Sequence, residues 1–386
     1  MNESLDLGYM LIAGRKVSGG GRTTREVFNP ATGQCVGLIP LATIEDIHEA
    51  ARAAEDGFKT WRSMSALNRA NILNSVARRL REESARIARQ LTLEQGKTLK
   101  EAAGEVSGAA DLFDWLAEEG KRIYGRVVPP RMAGTELTVL YEPVGVVAAL
   151  SPWNYPLALA ARKVSHALAA GCSVVLKPAE EAPSAVLSMA QICLDCGVPP
   201  NALHVLFGVP SQVSSELIAA PQVKKISFTG SVPVGKLLAA QAGPLLKKMT
   251  MELGGHSPVV VMNDALIDRV VDEAIAGKFR NAGQICISPT RFLVQDGVYD
   301  QVVSKFAERA ARIRVGDGLD PATDMGPLAH GRRVEAMMEL VEDARQRGAR
   351  LFGNAQQQGQ GYFWKPTVLA DVPVDAKIMQ DEPFGP

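Results

Sequence analysis

Residues 145–177 read GVVAALSPWNYPLALAARKVSHALAAGCSVVLK, in which two short apolar runs enclose a longer amphipathic segment. The runs at 146–150 and 173–176 predict buried strands, and residues 156–170 predict the helix that joins them. The same alternation continues to Leu253 and is typical of βαβ units on a parallel sheet. The stretch therefore predicts an α/β fold that binds its ligand beyond the carboxyl ends of the strands.

The chain on either side of this stretch is consistent with that fold class. Residues 8–40 alternate short apolar runs with turn signals and predict small strands at a surface. Helical periodicity then predicts three helices, over residues 44–58, 65–91 and 99–123. Residues 124–142 are extended in character and predict a long ribbon that can pair with another segment or chain. A second α/β region follows the first.

The composition is that of a large globular protein. Of its 386 residues, 46% are hydrophobic and 22% are charged, which predicts two or three domains. Forty-two basic residues balance forty-two acidic ones, so neither nucleic acid nor a membrane surface is expected as a partner. The start of the chain is polar and acidic, and no run of about 18 uncharged apolar residues occurs, so we expect neither a signal peptide nor a membrane span. These features predict a cytoplasmic protein.

The cysteines do not predict a disulfide framework. There are five of them, an odd and scattered set, which favours a reducing compartment. Cys193 and Cys196 form a C-x-x-C pair inside a predicted helix, and we interpret them as structural, with a metal or redox role as the alternative. The five histidines form no ligand pair, so no metal is predicted.

Residues suited to a nucleotide follow several of the predicted strands. Lys177 and Glu180 can hydrogen-bond a ribose diol. Gly230 and Ser231 precede a predicted helix, where a pyrophosphate can approach backbone N–H groups. The G-x-G-x-x-G fingerprint is absent, so these residues alone indicate a dinucleotide only weakly.

Cys286 lies in a compact glycine-bearing turn between two predicted elements. A nucleophilic cysteine reacts as the thiolate and needs a polar, partly open environment, which Arg280, Asn281 and Gln284 can supply. The alternative is a small buried hydrophobic residue, the usual state of a free cysteine.

Two further side chains can assist such a nucleophile. Glu252 ends a predicted strand and precedes two glycines, a setting in which its carboxylate can act as a general base toward water. Asn154 carries an amide that can donate to a developing oxyanion together with the backbone N–H of Cys286. Taken singly, Glu252 can equally be a surface carboxylate and Asn154 a turn former.

Taken together, the motifs resemble the aldehyde dehydrogenase superfamily in order and wording, from about residue 8 to the last residue. The motifs are P-W-N-Y-P at 152–156, K-P-A-E at 177–180, F-T-G-S at 228–231, M-E-L-G-G at 251–255, F-x-x-x-G-Q-x-C at 279–286 and E-P-F-G-P at 382–386. The resemblance implies an aldehyde dehydrogenase-like α/β fold of three parts. These are a Rossmann-like cofactor domain (1–123 and 143–253), a β-ribbon oligomerisation element (124–142) and an α/β catalytic domain (254–386).

The same resemblance implies a mechanism. Cys286 would attack an aldehyde to form a thiohemiacetal, with Asn154 and the Cys286 amide holding the oxyanion. Glu252 would activate the water that hydrolyses the later thioester, and Lys163 matches a supporting lysine. The implied assembly is a homo-oligomer, a dimer or tetramer.

The implied cofactor is NAD, with NADP possible. Glu180 would hydrogen-bond the 2′-hydroxyl and crowd a 2′-phosphate, which favours NAD. The residues that would bind the cofactor are Trp153, Lys177, Glu180, Gly230, Ser231, Glu382 and Phe384.

Within the superfamily, the wording near residues 93–97 and 115–119 is similar to the succinate-semialdehyde branch, which includes α-ketoglutarate-semialdehyde enzymes. The implied substrate is thus a small semialdehyde that carries a carboxylate. Arg162 and Arg280 match the positions that grip this group, and a guanidinium binds a carboxylate in a bidentate manner. Their alternative is a pair of structural salt bridges.

Two departures from the branch affect these expectations. Ser288 stands where some members have a second cysteine, so no redox switch is expected. The family also continues past E-P-F-G-P, so we expect a C-terminally truncated chain or a fragment. The alternatives to the main hypothesis are an inactive truncated dehydrogenase, a different aliphatic aldehyde as substrate, and a cofactor-independent cysteine hydrolase.

Overall fold

The structure, a computed structural model, describes residues 5, 7–353 and 360–386. Most of the glutamine-rich loop at 356–360, predicted to be solvated, lies outside the described residues. The strands are β1 (Met10–Ile12), β2 (Arg15–Val17), β3 (Thr24–Phe28), β4 (Cys35–Pro40), β5 (Arg126–Val128), β6 (Leu137–Val139), β7 (Val146–Leu150), β8 (Ser173–Lys177), β9 (Leu203–Val205), β10 (Val223–Gly230), β11 (Lys248–Leu253), β12 (Ser257–Val261), β13 (Pro289–Val294), β14 (Arg350–Phe352) and β15 (Val368–Ala370). The helices are α1 (Ile44–Ser63), α2 (Ala66–Glu82), α3 (Ser84–Gln95), α4 (Leu99–Gly120), α5 (Pro156–Ala169), α6 (Ser184–Asp195), α7 (Pro210–Ala219), α8 (Val232–Ala242), α9 (Ile267–Phe279), α10 (Asp296–Ala310), α11 (Gly331–Gln346) and α12 (Lys377–Gln380).

The largest sheet has seven strands in the order β11-β10-β7-β8-β9-β1-β2. The first five are parallel to one another, as the alternating pattern predicted, and β1 and β2 add an antiparallel edge. Every residue of β7 and β8 is buried, since helices cover both faces of a doubly wound sheet. The predicted α/β fold class is confirmed.

One helical prediction was wrong. The predicted helix over 65–91 is two helices, because Glu83 adopts φ −95° and ψ 9° and the chain turns there. Leu80 and Ile87 on either side of the break are both fully buried. The apolar periodicity therefore continues across the break and carries no signal of it.

The predicted ribbon is a hairpin in which β5 and β6 pair antiparallel with each other. It carries exposed apolar side chains, among them Val127 and Leu140. Paired strands of three residues each leave much of the ribbon free to meet another surface.

The buried apolar side chains form two clusters. The first draws on residues 7–242 and packs around the large sheet. The second draws on residues 261–364 and lies near two small sheets, β12–β13 and β14–β15. The predicted domain limits, 1–123 with 143–253, 124–142, and 254–386, stay a prediction. Along the described residues, no helix combines the length and apolarity that a bilayer crossing needs.

Candidate active site

The carboxyl ends of four neighbouring strands bring the predicted site segments to one edge of the large sheet. Leu150 at the end of β7 pairs with Lys177 at the end of β8 and with Phe228 on β10. Thr229 on β10 pairs in turn with Glu252 on β11. Because these strands are parallel, the segments that follow them all leave the sheet on the same side.

Cys286 lies beyond a tight left-handed turn that follows α9. Asn281, Ala282 and Gly283 have φ of 51°, 52° and 69°, so three successive residues adopt the left-handed region. Gln284 is fully buried and fastens the turn: its side chain donates to the Asn281 carbonyl (3.0 Å) and accepts from the Ala329 N–H (3.0 Å).

The thiol of Cys286 is exposed, whereas that of Cys193 is fully buried. The alternative that Cys286 is a buried hydrophobic residue is therefore wrong. The Cys286 side chain makes no hydrogen bond with any described residue.

Asn154 lies directly against this turn. Its side chain is 4% exposed, and its Nδ2 donates to the Gln284 carbonyl at 3.0 Å, two residues before Cys286. Its own carbonyl accepts from Asn281 Nδ2 at 2.9 Å and Lys97 Nζ at 3.0 Å. An amide nitrogen carries two hydrogens, and the second can donate to a group bound at Cys286.

Glu252 is exposed near the end of β11, and its charge acts on Lys163 of α5. Burial lowers the pKa of Lys163 to about 8, and the neighbouring Arg162 adds to that effect, while Glu252 opposes it. The Lys163 ammonium donates to Ser227 Oγ at 3.2 Å. Lys163 and Glu252 thus interact through their charges, whereas Glu252 and Cys286 share no hydrogen bond within the described residues.

Lys177 and Glu180 form a buried ion pair at the end of β8. Lys177 also donates to the Pro178 carbonyl at 2.9 Å, and Glu180 Oε1 accepts from the Gly208 N–H at 3.2 Å. Arg25 approaches the second oxygen of Glu180 at 4.0 Å. The carboxylate is therefore fixed in place by Lys177 and the Gly208 N–H, with Arg25 near its second oxygen.

Gly230 and Ser231 stand at the start of α8, an eleven-residue helix. A Cβ on Gly230 would lie 2.4 Å from the ring of Phe228, so no larger residue fits without movement. Ser231 makes no side-chain capping bond, which leaves the first N–H groups of the helix available to an anion.

Glu382 and Phe384 line a cleft beside the segments that follow β7 and β11. The ring of Phe384 meets Trp153 edge-on with the ring centres 5.4 Å apart, and the His330 ring also meets Trp153 edge-on at 4.7 Å. Glu382 packs against Gly254, where a Cβ would lie 2.0 Å from Glu382 Oε2. Burial raises the pKa of Glu382, against the lowering effect of a Gly255 N–H and of the nearby cations.

Several buried polar atoms of this cleft have no partner among the described residues: Glu382 Oε1 and both ring nitrogens of His330. Buried polar atoms are normally paired, so these are suited to a polar ligand. With the fixed Glu180 carboxylate and the open start of α8, they fit a dinucleotide. His330 carried no sequence signal, because a lone histidine in a loop has many uses.

Arg162 and Arg280 are both exposed. Burial raises the pKa of the Tyr155 hydroxyl, and the charge of the nearby Arg280 opposes that rise. Arg280 thus lies beside Tyr155, the residue after Asn154. Neither arginine forms an ion pair with a described residue, so the structural salt-bridge alternative finds no support.

The sequence did not predict three charged residues of the site, which are Lys97, Glu101 and Glu105. Lys97 and Glu105 form an ion pair beneath the 154–155 segment, and Glu101 accepts the Asn281 N–H at 2.7 Å. The capping box of Thr98 with Glu101 marked the start of α4 but not this use. A spacing of four residues places both carboxylates on one helical face, which was the available signal.

Comparison with known proteins gives a consistent family. The model of the aldehyde dehydrogenase family matches residues 17–386. A 4-(hydroxymethyl)benzenesulfonate dehydrogenase of Comamonas testosteroni is 48% identical over 98% of this chain and 79% of its own length. The NADP(+) succinate-semialdehyde dehydrogenase of Escherichia coli (strain K12) is 43% identical over 94% of this chain and 75% of its own. The crystal structure of a succinate-semialdehyde dehydrogenase from Burkholderia pseudomallei superimposes with a TM-score of 0.96 at 41% identity, covering 99% of this chain and 79% of that one.

Proposed function

The chain belongs to the aldehyde dehydrogenase family, and we propose that it oxidises a small aldehyde whose far end carries an anionic group. The coarse activity is that of the family, an NAD(P)-dependent oxidoreductase that acts on small-molecule aldehydes. The finer proposal is a carboxylated semialdehyde, succinate semialdehyde or α-ketoglutarate semialdehyde. The observation that carries it is the exposed Arg280 guanidinium, which lies beside Tyr155 and has no carboxylate partner in the described part of the chain.

A second candidate is an aldehyde that carries a sulfonate. The 48%-identical relative from Comamonas is named for a benzenesulfonate. Sulfonate and carboxylate are both oxyanions that a guanidinium can bind through two N–H donors. We propose that the exposed Arg162 and Arg280 could bind either group.

In the proposed mechanism, the Cys286 thiolate adds to the aldehyde carbon and forms a thiohemiacetal. The Asn154 amide and the Cys286 backbone N–H stabilise the negative oxygen. NAD(P), when bound, supplies the acceptor for the hydride, and a Cys286 thioester results. Glu252 removes a proton from water, the hydroxide attacks the thioester, and the C–S bond breaks to release the acid and the thiolate. Lys163, beside Glu252, would support that carboxylate electrostatically.

The residues that would hold the cofactor are Trp153, Lys177, Glu180, Gly230, Ser231, Glu382 and Phe384. We propose NAD as the preferred form, because the fixed carboxylate of Glu180 would accept a 2′-hydroxyl and repel a 2′-phosphate. The relative from Escherichia coli is named for NADP(+), so the preference is to be measured rather than transferred.

We further propose a homo-oligomer, a dimer or tetramer, that uses the exposed hairpin of β5 and β6, and a cytoplasmic location. Burial of Val127 and Leu140 against a second copy would remove apolar side chains from water. The reducing cytoplasm would keep the exposed Cys286 thiol available.

The test is a comparison of charged and uncharged aldehydes in Arg280→Ala and Arg162→Ala. A lost charge-assisted hydrogen bond costs about 1.5–3 kcal/mol, so we expect KM for succinate semialdehyde to rise by about 10–100-fold and KM for butanal to stay near its original value. The readout is NADH absorbance. Arg312→Ala is the matched control, since Arg312 is exposed and its ion pair within the described part of the chain is with Glu308.

Three outcomes would redirect the proposal. Equal losses on both aldehydes would contradict an anion-binding role for the arginines. Faster turnover of a sulfonated aldehyde would favour the second candidate. Ester hydrolysis without any aldehyde oxidation would indicate a cysteine hydrolase instead.

A further inference from the structure

Lys97 and Glu105 form an ion pair whose two side chains are 0% exposed. Removing two charges from water is costly unless further hydrogen bonds complete their coordination. The proposed mechanism uses neither residue. Their remaining contacts therefore indicate what the pair does.

The other contacts of the Lys97 ammonium are with residues of the candidate active site. It donates to the Asn154 carbonyl at 3.0 Å and lies 3.8 Å from the centre of the Tyr155 ring, in a cation–π contact. The two residues it touches are the proposed oxyanion donor and the neighbour of Arg280.

Glu105 holds the other side of the same segment. One oxygen pairs with Lys97, and the other accepts the N–H groups of Leu157 at 2.9 Å and Ala158 at 3.0 Å. These amides belong to the first turn of α5, where the helix dipole favours an anion. The ion pair thus binds the backbone on both sides of Tyr155, at the Asn154 carbonyl and at the N–H groups of Leu157 and Ala158.

Glu101, one turn earlier on α4, reaches the other half of the site. Its Oε1 accepts the Asn281 N–H at 2.7 Å, in the turn that leads to Cys286. Asn281 Nδ2 donates in turn to the carbonyls of Asn154 at 2.9 Å and Gln284 at 3.3 Å. A single helical face of α4 therefore contacts both the oxyanion segment and the nucleophile turn.

We propose that Glu105, acting through Lys97, is a positioning residue that sets the Asn154 amide against Cys286, and that Glu101 sets the Cys286 turn from the same helix. The inference rests on the proposed function in that it assigns Asn154 to the oxyanion. It adds that the geometry of the oxyanion site depends on a buried ion pair that touches no substrate. A reacting group misplaced by about 1 Å costs on the order of 100-fold in rate, so a small shift of this segment is measurable.

The experiment compares Glu105→Gln with Asp111→Asn, a matched change at an exposed carboxylate of the same helix. Turnover is followed with p-nitrophenyl acetate, which needs Cys286 and Asn154 but neither cofactor nor an aldehyde, and Kd for NAD and Tm are measured on the same preparations. We expect Glu105→Gln to lower kcat for the ester by about 10–100-fold. Kd for NAD should be unchanged, and Asp111→Asn should equal the original protein.

A double-mutant cycle separates positioning from simple stabilisation. If Glu105 acts through Asn154, the pair Glu105→Gln with Asn154→Ala should lose no more kcat than Asn154→Ala alone. Additive losses would overturn the proposal, as would a normal kcat in Glu105→Gln at a temperature where it is folded.

A second variant covers the case in which the single substitution unfolds the protein. Lys97→Met with Glu105→Leu replaces the ion pair by apolar side chains, a change that often preserves stability. The proposal expects a folded protein with lowered kcat for the ester, whereas full ester activity would overturn it. Because the original protein must hydrolyse the ester whichever aldehyde it oxidises, a failure to oxidise semialdehydes counts against the proposed function and leaves this test intact.

Discussion

The two hydrophobic clusters differ in how completely their sheets are built. Around the first, seven strands form one sheet and the central strands β7 and β8 are buried throughout. Near the second, the strands pair only two by two, and Val260 and Leu293 are 63% and 52% exposed. A cavity of about 590 Å³ lies beside β13 and β15. The sheet of the first region is thus more completely paired and buried than those of the second, yet the second region contains Cys286.

The contacts at the seam between the regions explain how the nucleophile can still be held. The Leu99 N–H donates to the Gly318 carbonyl at 3.0 Å, which joins the start of α4 to the second region. A Cβ on Gly326 would lie 2.0 Å from the Gly96 carbonyl, so the two backbones touch. Cys286 therefore depends for its position on residues of the first region, among them Asn154 and Glu101.

The largest effect should come from Cys286→Ser, which tests whether the thiol is needed for aldehyde oxidation but not for the stability of the fold. We expect aldehyde oxidation to fall at least about 1,000-fold, because a hydroxyl is a far weaker nucleophile than a thiolate. Tm should stay the same, since the thiol is exposed. Steady-state NADH production and thermal unfolding measure the two. Cys35→Ser, another exposed cysteine, is the control, and retained oxidation in Cys286→Ser would refute the assignment.

Gly283→Ala tests the left-handed turn that leads to Cys286 within the second region. Gly283 has φ +69°, and a Cβ there would lie 2.2 Å from the Gly385 carbonyl. We expect a loss of about 1–3 kcal/mol in stability and about 10–100-fold in kcat, since both the left-handed backbone and the contact are disturbed. Chemical denaturation and steady-state kinetics measure both. Gly104→Ala, in α4 with open space around it, should be neutral or stabilising, and equal effects at the two glycines would argue against a special requirement for glycine in the Cys286 turn.

Glu94, on α3 in the first region, is a buried carboxyl group that makes the stability of this region depend on pH. Burial raises the pKa of Glu94 to about 8, while the Ser184 N–H, which lies 3.0 Å from both carboxylate oxygens, opposes that rise. The folded protein therefore holds a proton that the unfolded chain releases near its ordinary value of 4.5. Stability is greatest below pH 4.5 as far as Glu94 is concerned, and falls as pH rises to about 8.

The slope in this window is on the order of 1.4 kcal/mol per pH unit, as an upper value for a single group. Glu94→Gln should remove it and raise the free energy of unfolding at pH 8.5 relative to the original chain. Urea denaturation at several pH values measures the slope. An unchanged slope in the variant would show that Glu94 does not keep a proton in the folded protein.

The smallest effect should come from Leu293→Lys on β13. Because this side chain is 52% exposed, we expect a change in stability within about 0.5 kcal/mol and a higher solubility limit. Val175→Lys on the buried strand β8 is the contrasting change and should prevent folding. A large loss of stability in Leu293→Lys would mean that the second region is as tightly built as the first.

Much of the fold followed from local pattern, because βαβ units repeat a strand-and-helix alternation that a single chain displays. The strand ends, and with them Asn154, Lys177 and Glu252, could therefore be located from sequence. Lys97 and Glu105 could not, since Lys97 meets Asn154 across 57 residues of chain and no local pattern encodes that distance. The break at Glu83 was missed because it leaves the apolar face of the helices intact.

The edge-on contacts of Trp153 give the cleft an optical probe of its own. Of the four tryptophans, Trp61 and Trp364 are buried elsewhere and Trp115 stands on the surface of α4. Trp153 alone touches both His330 and Phe384. A molecule that binds beside Trp153 changes the surroundings of one indole, so its emission reports occupancy of the cleft without any label.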